Sequence, residues 1–202
     1  LNLSHEPKAA ALAGELDAEE RLGPAREADG AVRIRGDWQL YRAALVHNNR
    51  YNRFHWADLN ALDLVPLARM AATRFAAPRT LDRHARKVGL FLGASKAAKR
   101  PGPAFWAELV RRLLGRDLRP VLFGGPAEAE LGREVARLAR APVLDLCGRL
   151  DLTEFAALGE TLALFVTPDT GPMHLAAWTG LKTLNLSMGN VHPWETGPYN
   201  PG

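Results

Sequence analysis

Four short stretches carry side chains able to hold an anionic ligand. The first, Gly93-Ala94-Ser95-Lys96-Ala97-Ala98-Lys99-Arg100-Pro101-Gly102, joins small residues that permit close backbone approach to a hydroxyl and three cations. It reads as half of an anion site or as a solvated basic loop. A second, Val166-Thr167-Pro168-Asp169-Thr170-Gly171-Pro172-Met173-His174, offers Asp169 or Thr170 as a helix cap and Pro172 at the first helical position. Gly171 would let a ligand reach the free amides of that helix start, which favour anions. His174, one turn in, could face the same anion or fill the core. In Phe123-Gly124-Gly125-Pro126-Ala127-Glu128, two glycines turn the chain toward a helix whose first turn holds Glu128. Its carboxylate could accept two ribose hydroxyls or complement the helix dipole. In Leu146-Cys147-Gly148-Arg149-Leu150-Asp151-Leu152-Thr153, Leu150 could wall a slot for a flat base or pack against the domain, with Asp151 or Thr153 as N-cap. A pyrophosphate between the first two stretches, with ribose and base on the others, would make one nucleotide site of four separately ambiguous signals. Neither a Walker-type GxxxxGK nor a GxGxxG fingerprint occurs.

The elements that would position these stretches follow from hydrophobic pattern. Short apolar runs at 88–92, 121–123, 143–146, 162–167 and 182–186 alternate with helix-type stretches at 103–115, 127–141, 153–160 and 172–179. Strands joined by helices of this length run parallel, and their continuous apolar character fits a sheet covered on both faces. Each candidate stretch follows one of these runs, at the carboxyl end of a strand where open parallel sheets bind ligands. The first 85 residues lack that rhythm. They predict helices at 6–16, 37–47 and 56–74, with a polar, glycine-containing stretch at 23–36. Residues 76–80 and the charged 82–87 read as an interdomain linker, with proline ending the preceding helix. The expected domains are therefore 1–80 and 81–202.

Composition narrows the classes. The chain has 202 residues, 47% hydrophobic and 24% charged, with a net charge of +4, which excludes disordered, collagen-like and coiled-coil chains. No window reaches the roughly 18–20 apolar residues of a membrane span. The single cysteine, Cys147, can form no internal disulfide, so a cytoplasmic location is expected. The start at Leu1 reads as a strand end entering a loop, in a piece of a longer protein. A rival reading takes Arg33, Arg35, Trp38, Tyr41, Arg50, Tyr51 and Arg53 as a surface for nucleic acid, where rings stack on bases and arginines meet phosphates. The small net charge and the lack of a recognition motif weigh against it.

Taken together, GASKAAKRPGPAFW, VLFGGPAEAE, LCGRLDLTEFAAL and FVTPDTGPMHLAAWTGLKTLNLSMGNVHPWETGPY, in this order and spacing, resemble the C-terminal half of glycosyltransferase family 9, the heptosyltransferases. Residues 1–80, including His5 and Arg50-Tyr51-Asn52-Arg53, resemble the later part of that family's N-terminal domain. The resemblance implies an α/β fold of GT-B type, with a Rossmann-like C-terminal nucleotide-sugar domain and part of an N-terminal Rossmann-like, acceptor-side domain. It implies an inverting, metal-independent transferase with no cofactor, moving heptose from ADP-heptose to a lipopolysaccharide inner-core acceptor. By position, Ser95 and Lys99 would contact the donor phosphates, Lys99 with a catalytic role in stabilising the leaving group. Glu128 would meet the ribose, Leu150 the adenine, and Asp169, Thr170 and Gly171 the pyrophosphate and nearby sugar, with His174 supporting that loop. The general base would be an aspartate upstream of Leu1. An anionic glycolipid acceptor also implies peripheral attachment to the inner membrane. The chain departs from the family pattern at Pro101-Gly102-Pro103, where a tryptophan is common, and it stops at Gly202 before the closing C-terminal segment. A non-catalytic nucleotide-binding or scaffold domain is the alternative reading.

Overall fold

The computed structural model describes residues 1–45, 52–72, 85–188 and 192–199. The chain divides into two compact units, Leu1–Arg74 and Phe75–Gly202. The linker expected around residue 80 falls mostly outside the described residues, as do Arg50 and Tyr51.

The first unit holds α1 (Pro7–Glu15), β1 (Gly23–Arg26), β2 (Val32–Arg35), α2 (Asp37–Ala44), α3 (Trp56–Ala61) and α4 (Leu67–Ala72). Its strands pair antiparallel, so it contributes no parallel strand among the described residues. The polar 23–36 stretch is thus a hairpin. Its turn is built by Asp29, whose carboxylate accepts from the Ala31 amide at 3.0 Å, and by Gly30. The helix expected over 56–74 is two helices. Pro66 supplies no amide and disfavours a helical Val65, and the break frees Asp63 to accept from the Trp38 and Gln39 amides at 3.2 and 3.1 Å. Asp63 thereby caps α2, beside Gly36 at φ +95°, where a Cβ would lie 2.8 Å from the carboxylate. Leu45, Leu59 and Leu62 form the apolar centre, with Trp38, Phe54, Trp56 and Met70 packed on it.

The second unit contains β3 (Lys87–Phe91), α5 (Pro103–Leu114), β4 (Arg119–Phe123), α6 (Ala129–Ala139), β5 (Leu144–Asp145), α7 (Leu152–Gly159), β6 (Leu162–Pro168), α8 (Gly171–Trp178), β7 (Thr183–Leu186) and α9 (Pro193–Thr196). All five strands are parallel, in the order β5-β4-β3-β6-β7. The chain winds outward from β3 to β5, then returns to place β6 beside β3. This is the reversal at which a doubly wound sheet opens a crevice.

Alternation along the strands feeds two cores. Val88, Leu90, Leu92 and Leu122 pack with Trp106, Val110 and Val135, on the α5 and α6 side. Val121, Phe123, Leu162 and Phe165 pack with Phe155, Ala176 and Leu181, on the α7 and α8 side. Gly89 faces this second core, where a Cβ would come within 2.7 Å of Phe165 and 2.8 Å of Leu162. The rings of Phe123, Phe155 and Phe165 meet at centroid distances of 5.4–6.0 Å. The absent side chain at Gly89 makes room for them.

Candidate functional site

Every candidate stretch emerges on the carboxyl edge of the second unit's sheet. After β3, a 3-10 turn spans Ala97–Lys99, closed by the Lys99 amide on the Lys96 carbonyl at 3.0 Å. Arg100 is exposed but is also tied to its own loop. Its Nε donates to the Ala94 carbonyl at 2.7 Å and so clamps the loop on itself. Pro101 is buried, and Gly102 and Pro103 start α5, so the Pro-Gly-Pro departure serves as a loop end and helix start.

The turn presents Lys99 across the reversal point to Asp169 at the end of β6. Lys99 Nζ donates to Asp169 Oδ2 and the two form an ion pair, with side chains 20% and 9% exposed. A pair so shielded is screened less than a surface pair. It ties the first candidate stretch to the second at the position where the switch-point rule places a ligand. Ser95 is exposed in the bend before the turn and makes no hydrogen bond among the described residues.

Next to the ion pair, α8 begins. Thr170 is its N-cap through the backbone, its carbonyl accepting from the Met173 amide at 3.0 Å, while its hydroxyl makes no cap bond. Pro172 has no amide to offer, which leaves Gly171 as the foremost donor of the helix. A Cβ at Gly171 would meet nothing within 4 Å, so this end of α8 is open. His174 does not fill the core. Met173, Ala176 and Ala177 form the buried face of α8, and the helical step of about 100° turns position 174 outward, where it is exposed.

Glu128 closes a 3-10 turn, Pro126–Glu128, ahead of α6. Its Oε2 accepts from the Gly125 amide at 2.9 Å. Its side chain lies over two glycines. A Cβ at Gly93 would fall 2.8 Å from the carboxyl carbon, and one at Gly124 would fall 2.5 Å from the Glu128 Cβ. The carboxylate therefore sits between the β3 and β4 loops and caps its own turn through one oxygen, while the other makes no hydrogen bond among the described residues.

Beside it lies a cavity of about 400 Å³, lined by Phe91, Phe123, Leu146, Leu150, Phe155 and Pro172, with the backbone of Gly124 and Gly125 at its rim. Leu150 packs on the second core and also walls this cavity. Asp151, also on the rim, is the N-cap of α7, accepting from the Glu154 amide at 2.8 Å. The phenylalanines were not identified from the sequence. Phe91 and Phe123 are the last residues of β3 and β4 on the same face, a signal that strand phase carries once boundaries are known.

Cys147 is buried in the core on the α5 and α6 side. Burial raises its pKa above the usual thiol range, reinforced by Asp145, whose Oδ1 also accepts from the Cys147 amide at 3.0 Å. Among the described residues no group of three or more His, Cys, Asp or Glu gathers as a metal site. No helix among them is long and apolar enough to cross a membrane.

In the first unit, the aromatic and arginine residues of the rival reading are used differently. Trp38, Tyr41 and Phe54 meet edge to face at 5.3–6.1 Å. Arg33 pairs with Asp29 and Arg35 with Glu27, each at 2.7 Å.

Comparison with known proteins extends this picture along the chain. The family model of glycosyltransferase family 9 (heptosyltransferase) matches residues 1–202. The lipopolysaccharide core heptosyltransferase OpsX of Haemophilus influenzae is 26% identical over 97 residues, 47% of this chain and 28% of that protein. The family 9 glycosyl transferase of Veillonella parvula DSM 2008 superposes with a TM-score of 0.53 at 28% identity, over 59% of this chain and 34% of that one. The E. coli ADP-heptose lps heptosyltransferase II gives 0.53 at 27%, over 60% and 38%. The matches thus span about a third of the length of these relatives. A wound parallel sheet with polar loops on its carboxyl edge is shared by many enzymes. The match over all 202 residues is what distinguishes among them, and by it this chain belongs to glycosyltransferase family 9.

Proposed function

We propose that the protein transfers heptose, or a related sugar, from an ADP-sugar to a lipopolysaccharide inner-core or similar glycan acceptor, with inversion and without a metal ion. The observation that carries this reading is the Lys99–Asp169 pair spanning the reversal point between β3 and β6, beside both the open start of α8 and the apolar cavity. A nucleoside diphosphate fits that arrangement. Its base would enter the cavity against Leu150 and its ribose would meet the unengaged oxygen of Glu128. Its phosphates would reach Lys99, Ser95 and the Gly171 amide, with Thr170 and His174 at the edge of the same loop. The names of the relatives support heptose and ADP as sugar and nucleotide.

In the reaction, the acceptor hydroxyl oxygen bonds to the anomeric carbon as the bond from that carbon to the diphosphate oxygen breaks. Negative charge grows on the departing diphosphate, and Lys99 with the α8 amides stabilises it without reorganising. Asp169, itself anionic, is poorly suited to touch the phosphates. It holds the Lys99 ammonium in place, and is a positioning residue. The hydroxyl proton passes to a general base.

The test begins with titration of the chain by ADP, UDP, GDP and CDP, alongside Lys99→Ala and Asp169→Ala. Saturable binding of one nucleotide, weakened in both variants, is expected. Absence of binding by folded protein, including the full-length form, overturns the donor site. A product assay on the full-length protein then separates a transferase from a pure binder, which would hold nucleotide and release no transferred sugar.

A further inference from the structure

Along the strand order β5-β4-β3-β6-β7, the features of the carboxyl edge follow one direction. The apolar cavity lies at the ends of β3 and β4 and in the loop after β5, Glu128 between the β3 and β4 loops, and the Lys99–Asp169 pair between β3 and β6. A nucleoside diphosphate laid in that direction carries its sugar toward β7, the next strand, about 4.8 Å on. The end of β7 holds two polar side chains. β6 and β7 pair Thr167 with Asn185 and Pro168 with Leu186, so Ser187 follows Leu186 as Asp169 follows Pro168. Asn185 Nδ2 donates to Ser187 Oγ at 2.9 Å. Ser187 is exposed, and its hydroxyl makes no other hydrogen bond among the described residues.

The amide oxygen of the same asparagine is shielded from solvent and has no partner. Among the described residues of the second unit, four buried side-chain polar atoms are unmatched in this way. One is the Trp106 indole nitrogen, and the others are Asn185 Oδ1, His192 Nδ1 and Thr196 Oγ1. Three of the four thus belong to β7 and the connection that follows it. A shielded acceptor without a donor costs free energy, and a β-branched or aromatic residue would suit a strand better than asparagine. Stability therefore does not account for Asn185. What it supplies is the bond that holds Ser187, and a hydroxyl whose oxygen already accepts a bond keeps its own proton for another partner.

We infer that Ser187 donates its hydroxyl to a hydroxyl of the donor sugar, and that Asn185 is the positioning residue that aims it. The inference rests on the donor-site reading and extends it from the nucleotide to the sugar. Ser187 then determines specificity, because a sugar without an oxygen at the matching position leaves this hydroxyl unmet.

The experiment is calorimetric titration of the full-length protein with ADP and with ADP-heptose, alongside Ser187→Ala and Asn185→Leu. Ser187→Ala should leave the ADP affinity unchanged and lower the ADP-heptose affinity by about three- to tenfold, the effect of one lost neutral hydrogen bond. Asn185→Leu should show the same pattern without a fall in its thermal unfolding temperature, which separates aiming Ser187 from supporting the fold. A lowered unfolding temperature marks Asn185 as structural and overturns its positioning role. If ADP binds and the ADP-heptose affinity is unchanged in both variants, the inference is overturned while the donor-site reading stands. Equal losses for ADP and ADP-heptose in Ser187→Ala also overturn it, since the hydroxyl would then face the diphosphate. Failure of the folded wild-type protein to bind either ligand overturns the donor site, and this inference with it.

Discussion

Lys99 and Asp169 stand 70 positions apart in the chain and form one device. A lysine in a small-residue loop is an ordinary surface cation until something fixes its ammonium, and Asp169 does so from the end of a neighbouring strand. Lys99→Ala should therefore weaken binding of a nucleoside diphosphate by about tenfold to a hundredfold, from the roughly 1.5–3 kcal/mol of a charged hydrogen bond. Adenosine, which lacks phosphates, should lose little affinity, and calorimetric titration of both ligands checks the pair of outcomes. Asp169→Asn keeps the shape of the side chain and removes its charge. The same titration should show a smaller loss than Lys99→Ala, because the ammonium is still present but no longer held. Cys147 illustrates the opposite case, a reactive residue type made inert by its surroundings. Its pKa is raised, so the thiol stays protonated at pH values where the unfolded chain, titrating near 9.0, already forms thiolate. The folded state thus gives up stability as pH rises past the unfolded pKa and keeps it below. Iodoacetamide at pH 8 should label the native protein far more slowly than the denatured one, and equal rates would contradict this. The sequence showed which residues in these loops are polar. Their pairing depends on the register of β6 beside β3, a long-range fact with no local signature.

Among the elements, the parallel strands and their helices were legible because a buried strand reads as a short apolar run and a crossover helix as a longer periodic one. Boundaries moved by one or two residues, as at β4, whose ladder with β3 extends it back to Arg119 past the apolar run. Two elements of the first unit were misread for identifiable reasons. The hairpin hid behind charged residues, since Arg26, Arg33 and Arg35 face solvent and only the Asp29-Gly30 turn marked it. The long helix at 56–74 ignored Pro66, although proline inside a periodic stretch is a stop signal. Gly89 shows how an element can depend on an absent side chain. Gly89→Val would push into Phe165, Leu162 and Phe123 in a closely packed layer. We expect it to lower stability by about 1–3 kcal/mol, read as a reduced denaturant midpoint, and to disturb the cavity floor that Phe123 forms. A variant of unchanged stability would mean that the aromatic layer can shift.

Across the chain as a whole, ligand and fold should be linked. A nucleoside diphosphate that binds only the folded second unit stabilises it by about 2.7 kcal/mol at 100 times its Kd. ADP is therefore expected to raise the thermal unfolding temperature, an effect reduced in Lys99→Ala at the same concentration. An unfolding temperature insensitive to ADP would count against a preformed site. Parallel α/β architecture, the carboxyl-edge placement of all four polar stretches and the family resemblance followed from the amino-acid order alone. They rest on local patterns of hydrophobicity, turn residues and motif spacing, and chain connectivity then restricts the topology. Two features needed the folded chain, namely that Asp169 answers Lys99 and that His174 turns outward. Each is a relation between residues brought together by packing, and packing is settled by the sum of many distant contacts, which no single stretch of sequence contains.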